Sequence, residues 1–148
     1  MRWRLSAQAA MVFALATPLF ARAESAQNLY TLNCWGCHRA NGEGIPGTAP
    51  TLRDAADFLM VPGGRAYLIE VPGVSQSSLS DADTALVMNW IIRNFSKGRV
   101  PADFKPYTAA EIHASRQQPH LLAITATRKA LIDKMVALKI RSASESHL

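Results

Sequence analysis

Cys34-Trp35-Gly36-Cys37-His38 holds both cysteines of the 148-residue chain, two residues apart and followed at once by an imidazole. Such a cluster could form a disulfide, work as a redox dithiol, bind zinc, or carry a haem. A Cys-x-x-Cys disulfide closes a very small ring and adds little loop entropy to stability. A thioredoxin-type dithiol opens a helix that follows a strand, and nothing before Cys34 reads as a strand. Zinc wants four nitrogen or sulfur ligands, whereas His113, His120 and His147 lie far along the chain without paired ligand spacing. Haem fits the residues best: each thiol adds to one vinyl group, and the adjacent imidazole of His38 falls under the iron as its axial ligand. The dithiol, the zinc site and the plain disulfide stand as alternatives.

Upstream, Arg2 and Arg4 precede an apolar stretch from Leu5 to Phe20, and Ala21-Arg22-Ala23 supplies a small-x-small pattern. This predicts a cleavable export signal over residues 1–23. The apolar stretch is interrupted by Ser6, Gln8 and Pro18 and falls short of the roughly 20 apolar residues of a membrane span. No later segment is long and apolar enough to cross a bilayer either. The chain is therefore expected in the periplasm, as a soluble protein.

Lysine and arginine number 16 against 11 acidic residues, but the leader takes three arginines with it, so the mature net charge is near +2. A nucleic-acid partner is not expected from that balance. The charge is unevenly spread: residues 24–96 carry four basic and seven acidic side chains, and residues 97–148 carry nine and four.

With the Cys-x-x-Cys-His motif near its mature N-terminus, the chain resembles the class I c-type cytochromes over about residues 25–95. Ser25 to Trp35 reads as a first helix, with Ala26, Leu29, Tyr30 and Asn33 at helical spacing. Asn41-Gly42-Glu43-Gly44 matches the family's glycine-rich turn, and Ala49-Pro50-Thr51-Leu52 its Pro-x-Leu segment. Ser80 and Asp83 open a closing helix as a variant capping box, and Lys97-Gly98 ends it. The resemblance implies an all-α fold around one covalent haem c, bound through Cys34 and Cys37 with His38 on the iron. It also implies that the carbonyl of Pro50, twelve residues beyond His38, orients the imidazole. Pro46 is a rival for that role. In the family an aromatic at the place of Trp90 packs the closing helix across the first one. Arg53 and Arg65 are candidates to meet the haem propionates.

The family usually brings a methionine to the far side of the iron from a loop just before the last helix, and Val71-Pro72-Gly73 stands there. Met60, beside Val61-Pro62-Gly63-Gly64 and 22 residues after His38, is the candidate distal ligand. Met88, a tail histidine and an open position are the alternatives, since a methionine at apolar spacing inside a helix is more often core filling.

The organisation expected is a leader (1–23), a cytochrome domain (24–97) and a C-terminal extension (98–148). In the extension, Val100 to Tyr107 reads as a proline-punctuated linker whose aromatics lie on the body. Thr108-Ala109-Ala110-Glu111 caps a short helix to about Gln117. Leu121 to about Arg141 reads as an amphipathic basic helix with apolar residues at Leu121, Ile124, Leu131, Met135 and Leu138. Packing on the body, docking to a partner protein and lying on anionic lipid compete as its role. The implied function is one-electron transfer between periplasmic redox partners, such as a dehydrogenase and a terminal oxidase or reductase, and not enzymatic catalysis. A vacant distal site would suit a haem catalyst or gas sensor, and a docking tail a dedicated subunit of a dehydrogenase.

Overall fold

The computed structural model describes residues 25–117 and 123–141, so the expected export signal over residues 1–23, His120, Leu121 and His147 lie outside the described residues. Among the described residues the structure is helical, with no strand beyond one isolated bridge between Ile45 and Ala49. No helix is long and apolar enough to cross a membrane among those residues.

Two helices form the frame. Helix α1 (Ala26–Asn33) starts at Ser25, whose side chain accepts from the Asn28 amide. Helix α6 (Asp81–Phe95) starts at Ser80, whose hydroxyl accepts from the Asp83 amide at 3.1 Å, with Asp81 and Asp83 in its first turn and Arg93 in its last. These charges complement the helix dipole at both ends. The two helices cross where Leu29 and Tyr30 meet Val87, and the Tyr30 ring lies 5.2 Å from Trp90 and 5.0 Å from Phe95.

Between them, helix α2 (Trp35–His38) carries the end of the cysteine motif, and three short helices follow: α3 (Ala55–Phe58), α4 (Gly64–Glu70) and α5 (Pro72–Ser75). The Pro-Gly stretches at 62–64 and 72–73 thus lead into helices. Pro72 opens α5 at its first turn, where a missing N–H costs nothing and φ is already helical.

The extension closes the core. Tyr107 and Ile112, the latter on helix α7 (Ala109–Arg116), are buried with Ala55, Ala56, Ile69, Ala85, Met88 and Ile92. Helix α8 (Ile124–Ala137) sets Leu131, Ile132 and Met135 against Phe58, Val61 and Tyr67. Burying each such side chain contributes about 1.5–3 kcal/mol. The body's core is therefore shared with the extension, and the apolar face of α8 is covered by the body. The helix stops at Ala137, short of the expected Arg141, and Leu138 is exposed while Ile132 is buried. A chain reversal at Lys139 is the cause.

The uneven charge also has a structural reason. Arg99 and Arg141 pair with Asp54 and Asp57, and Arg116 pairs with Asp81. Basic side chains of the extension thus neutralise acidic ones of the body, while Lys134 and Lys139 stay exposed.

Candidate functional site

Cys34 ends α1 and caps α2, with its amide bonded to the Tyr30 carbonyl at 2.8 Å. One helical turn then separates Cys34 from Cys37 and His38, so the thiols and the imidazole are presented from a single short turn. The two sulfurs are not joined; Cys37 is exposed and Cys34 half-buried. Burial, and then the neighbouring Cys37, push the Cys34 thiol up to about 11. Redox dithiols work the other way, through a thiolate stabilised below its ordinary value. Zinc is not favoured either, because no group of three metal-ligating side chains occurs among the described residues.

Beyond the motif the chain turns back on itself. Arg39 reverses it at φ 61, and its carbonyl accepts from the Tyr30 hydroxyl at 2.5 Å. Leu52 N–H and the Thr51 hydroxyl both donate to the Gly42 carbonyl, at 2.7 and 3.0 Å. Gly44 makes the closest approach: at φ +79, a Cβ there would lie 2.4 Å from the Ala49 oxygen and 2.8 Å from the Pro50 oxygen. Only a residue without a side chain allows that contact.

The folded loop brings the Pro50 carbonyl to 3.0 Å from His38 Nδ1. Pro46, the rival, lies on the rim of an open cavity of about 500 Å³ bounded also by Ile45, Ala49, Pro50, Arg53 and Asp54. That cavity does not reach the cysteines or His38, and the donor set, not the cavity, defines the site. Burial holds the His38 pKa below its usual value, partly offset by the Pro50 hydrogen bond. Burial thus favours the neutral ring, and a neutral ring that donates Nδ1–H to the carbonyl keeps Nε2 as a lone-pair donor, the form that ligates metal.

These residues fit a covalently held haem. Two unjoined thiols and a neutral, oriented imidazole share one turn, and Leu32 and Trp35 beside them are 74 % and 45 % exposed, which leaves apolar surface for a flat apolar group to cover.

The methionines separate clearly. Met88 is 5 % and Met135 0 % exposed, each packed in a core cluster, whereas Met60 is 40 % exposed in the turn between α3 and α4. His113 is bonded through Nδ1 to Asp81 at 3.0 Å. Arg65 is engaged by the extension: it forks onto both oxygens of Glu111 and donates to the Lys105 and Pro106 carbonyls. Arg53 donates to the Asn41 carbonyl at 3.2 Å and lies 3.6 Å from Glu43. Arg65 is thus taken up by the extension, whereas Arg53 stays half-exposed. The cluster of Asp54, Asp57, Arg99 and Arg141 was not legible as a site; its one sequence signal is the opposite charge of the two halves of the chain.

The family model described as Cytochrome c matches residues 23–70. A cytochrome c-552 of Thermus thermophilus is 36 % identical over 102 residues, covering 56 % of this chain and 78 % of that protein. A second cytochrome c-552, from a named strain of the same species, is also 36 % identical over 102 residues, covering 56 % of this chain and 69 % of that one.

Proposed function

Because the chain belongs to the cytochrome c family, whose cofactor is covalently bound haem c, we propose that it is an exported carrier of single electrons between periplasmic redox proteins. A dehydrogenase would supply the electron and an oxidase or reductase would take it. In this reading Cys34 and Cys37 form the two thioether links, and His38 ligates the iron through Nε2. Pro50 holds the ring in one tautomer and one plane. Haem supplies one-electron exchange at its iron; the chain's part is to keep the ligands still while the charge changes. The observation that carries the reading is the His38–Pro50 hydrogen bond beside two unjoined thiols, since it fixes the plane of the imidazole and leaves Nε2 for the iron.

Met60 is proposed as the distal ligand, supported by its exposure and by the burial of Met88 and Met135. Sulfur ligation raises the reduction potential and closes the iron to small molecules. A second reading, a vacant distal position suited to gas binding or catalysis, draws support from Val71-Pro72-Gly73 at the place of the family's methionine.

The test begins with protein matured in a host that attaches haem c. The parent should keep its haem on a denaturing gel, and Cys34→Ser/Cys37→Ser should lose it; a colourless parent of bare-chain mass refutes the proposal. Oxidised parent should show the absorption of sulfur-ligated iron and lose it in Met60→Ala but not in Met88→Ala. Rapid carbon monoxide binding by the reduced parent would favour the vacant site. Partner docking is proposed through the exposed Lys129 and Lys134 of α8, because the arginines and the apolar face of the extension are already engaged by the body.

A further inference from the structure

Helix α8 ends in a reversal that has a specific target. Lys139 N–H bonds to the Val136 carbonyl at 3.0 Å and Ile140 N–H to the Met135 carbonyl at 2.9 Å, the paired bonds of a Schellman cap. Lys139 sits at φ 58, a left-handed conformation that disfavours side chains and usually falls to glycine. The turn throws Arg141 back onto the body, where it is 5 % exposed.

There its Nη2 donates to Asp54 Oδ2 at 2.7 Å, and its Nε lies 3.9 Å from Asp57 Oδ2. Arg99 holds the same two carboxylates from Nη1 and Nη2, at 3.2 and 2.9 Å. Asp54 immediately precedes α3 and Asp57 lies within it. The Ala56 amide between them donates to the Ser96 hydroxyl at 3.1 Å. Residues 50–58 are thus anchored at two places, to the Gly42 carbonyl near Pro50 and to the arginine cluster at α3. The Pro50 carbonyl that meets His38 lies in the first part of this segment.

We propose that Arg141 is a positioning residue for His38: through Asp54 and Asp57 it fixes the segment that carries the Pro50 carbonyl, and with it the hydrogen bond that sets the plane and basicity of the imidazole. The inference rests on His38 as the iron ligand. An imidazole that donates to a carbonyl is a more basic metal ligand, and a more basic ligand favours the more highly charged, oxidised iron. Loosening the bond therefore raises the reduction potential.

The experiment compares haem-loaded parent, Arg141→Ala, Arg141→Lys and Arg116→Ala by redox titration and by NMR exchange of the His38 ring N–H. Arg141→Ala is expected to raise the potential and speed that exchange several-fold. Arg141→Lys should give a smaller shift in the same direction, because an ammonium cannot reproduce the fork of a guanidinium. Arg116→Ala removes an equal charge whose contacts lie at Val74 to Thr84, outside residues 50–58; it should lower thermal stability and leave both readouts unchanged. An unchanged potential in Arg141→Ala, or an equal shift in Arg116→Ala, overturns the proposal. Should Arg141→Ala not fold, Arg141→Lys against Arg116→Ala decides by the same criteria. A parent without haem overturns the proposed function instead. The exchange of the His38 ring N–H in that haem-free chain then decides this inference, faster exchange in the Arg141 variant supporting it and unchanged exchange overturning it.

Discussion

Tyr107 and Arg65 hold each other twice: the Tyr107 hydroxyl donates to the Arg65 carbonyl at 3.1 Å, and the Arg65 guanidinium carbon lies 4.1 Å from the centre of the Tyr107 ring. Asn89 adds a two-way amide pair to the Tyr107 backbone, at 2.9 and 2.7 Å. These contacts join the first residues of the extension to α4 and α6. They make the extension part of the folded unit and not an appendage.

Truncation after Gly98 is accordingly expected to unfold or loosen the body, because Phe58, Val61, Tyr67 and Ile69 lose buried partners. Binding of a hydrophobic dye and loss of a cooperative thermal transition would report it. A truncated chain that melts like the parent would show that the body has its own sufficient core.

Arg116 reaches the carbonyls of Val74 and Leu79, the Ser77 and Thr84 hydroxyls and Asp81, at 2.8 to 3.0 Å. Its guanidinium shapes the connection between α5 and α6. Arg116→Ala should cost about 2 kcal/mol, the scale of hydrogen bonds to a charged group reduced for partial exposure. Arg116→Lys should recover part of that cost. Urea midpoints measure both, and a midpoint for Arg116→Ala equal to the parent's would contradict the role.

The Asp81 carboxyl is held below its ordinary value by the hydrogen bond to His113 first and by Arg116 as well, against some desolvation. A carboxylate depressed in the folded state adds stability above its unfolded pKa of about 4 and loses that contribution as pH falls through the folded value. The difference in melting temperature between parent and Asp81→Asn should therefore shrink as pH drops from about 6 to 3. A difference constant over that range would remove the assignment.

Gly64 begins α4 so close to α3 that a Cβ there would lie 1.9 Å from the Phe58 carbonyl oxygen. Gly64→Ala must push the two helices apart and should destabilise by about 3 kcal/mol or more. Thermal unfolding beside Gly73→Ala, where a Cβ meets nothing within 4 Å, isolates the effect.

The sequence alone determined the parts governed by local chemistry. The spacing of Cys34, Cys37 and His38 is a covalent pattern that reads without a fold. The caps at Ser25, Ser80 and Thr108 depend on residues three positions apart, and the all-α class came with the resemblance that the motif and its neighbouring segments carry. Tertiary structure decided what depends on contacts distant along the chain. It chose Pro50 over Pro46 as the partner of His38, because the turn through Gly42 and Gly44 sets which carbonyl arrives there. It placed Arg65 on Glu111, 46 residues away, and Arg141 on Asp54, 87 residues away. A charged side chain shows its sign in sequence but not its partner; the partner is settled by which surfaces the buried apolar residues bring together.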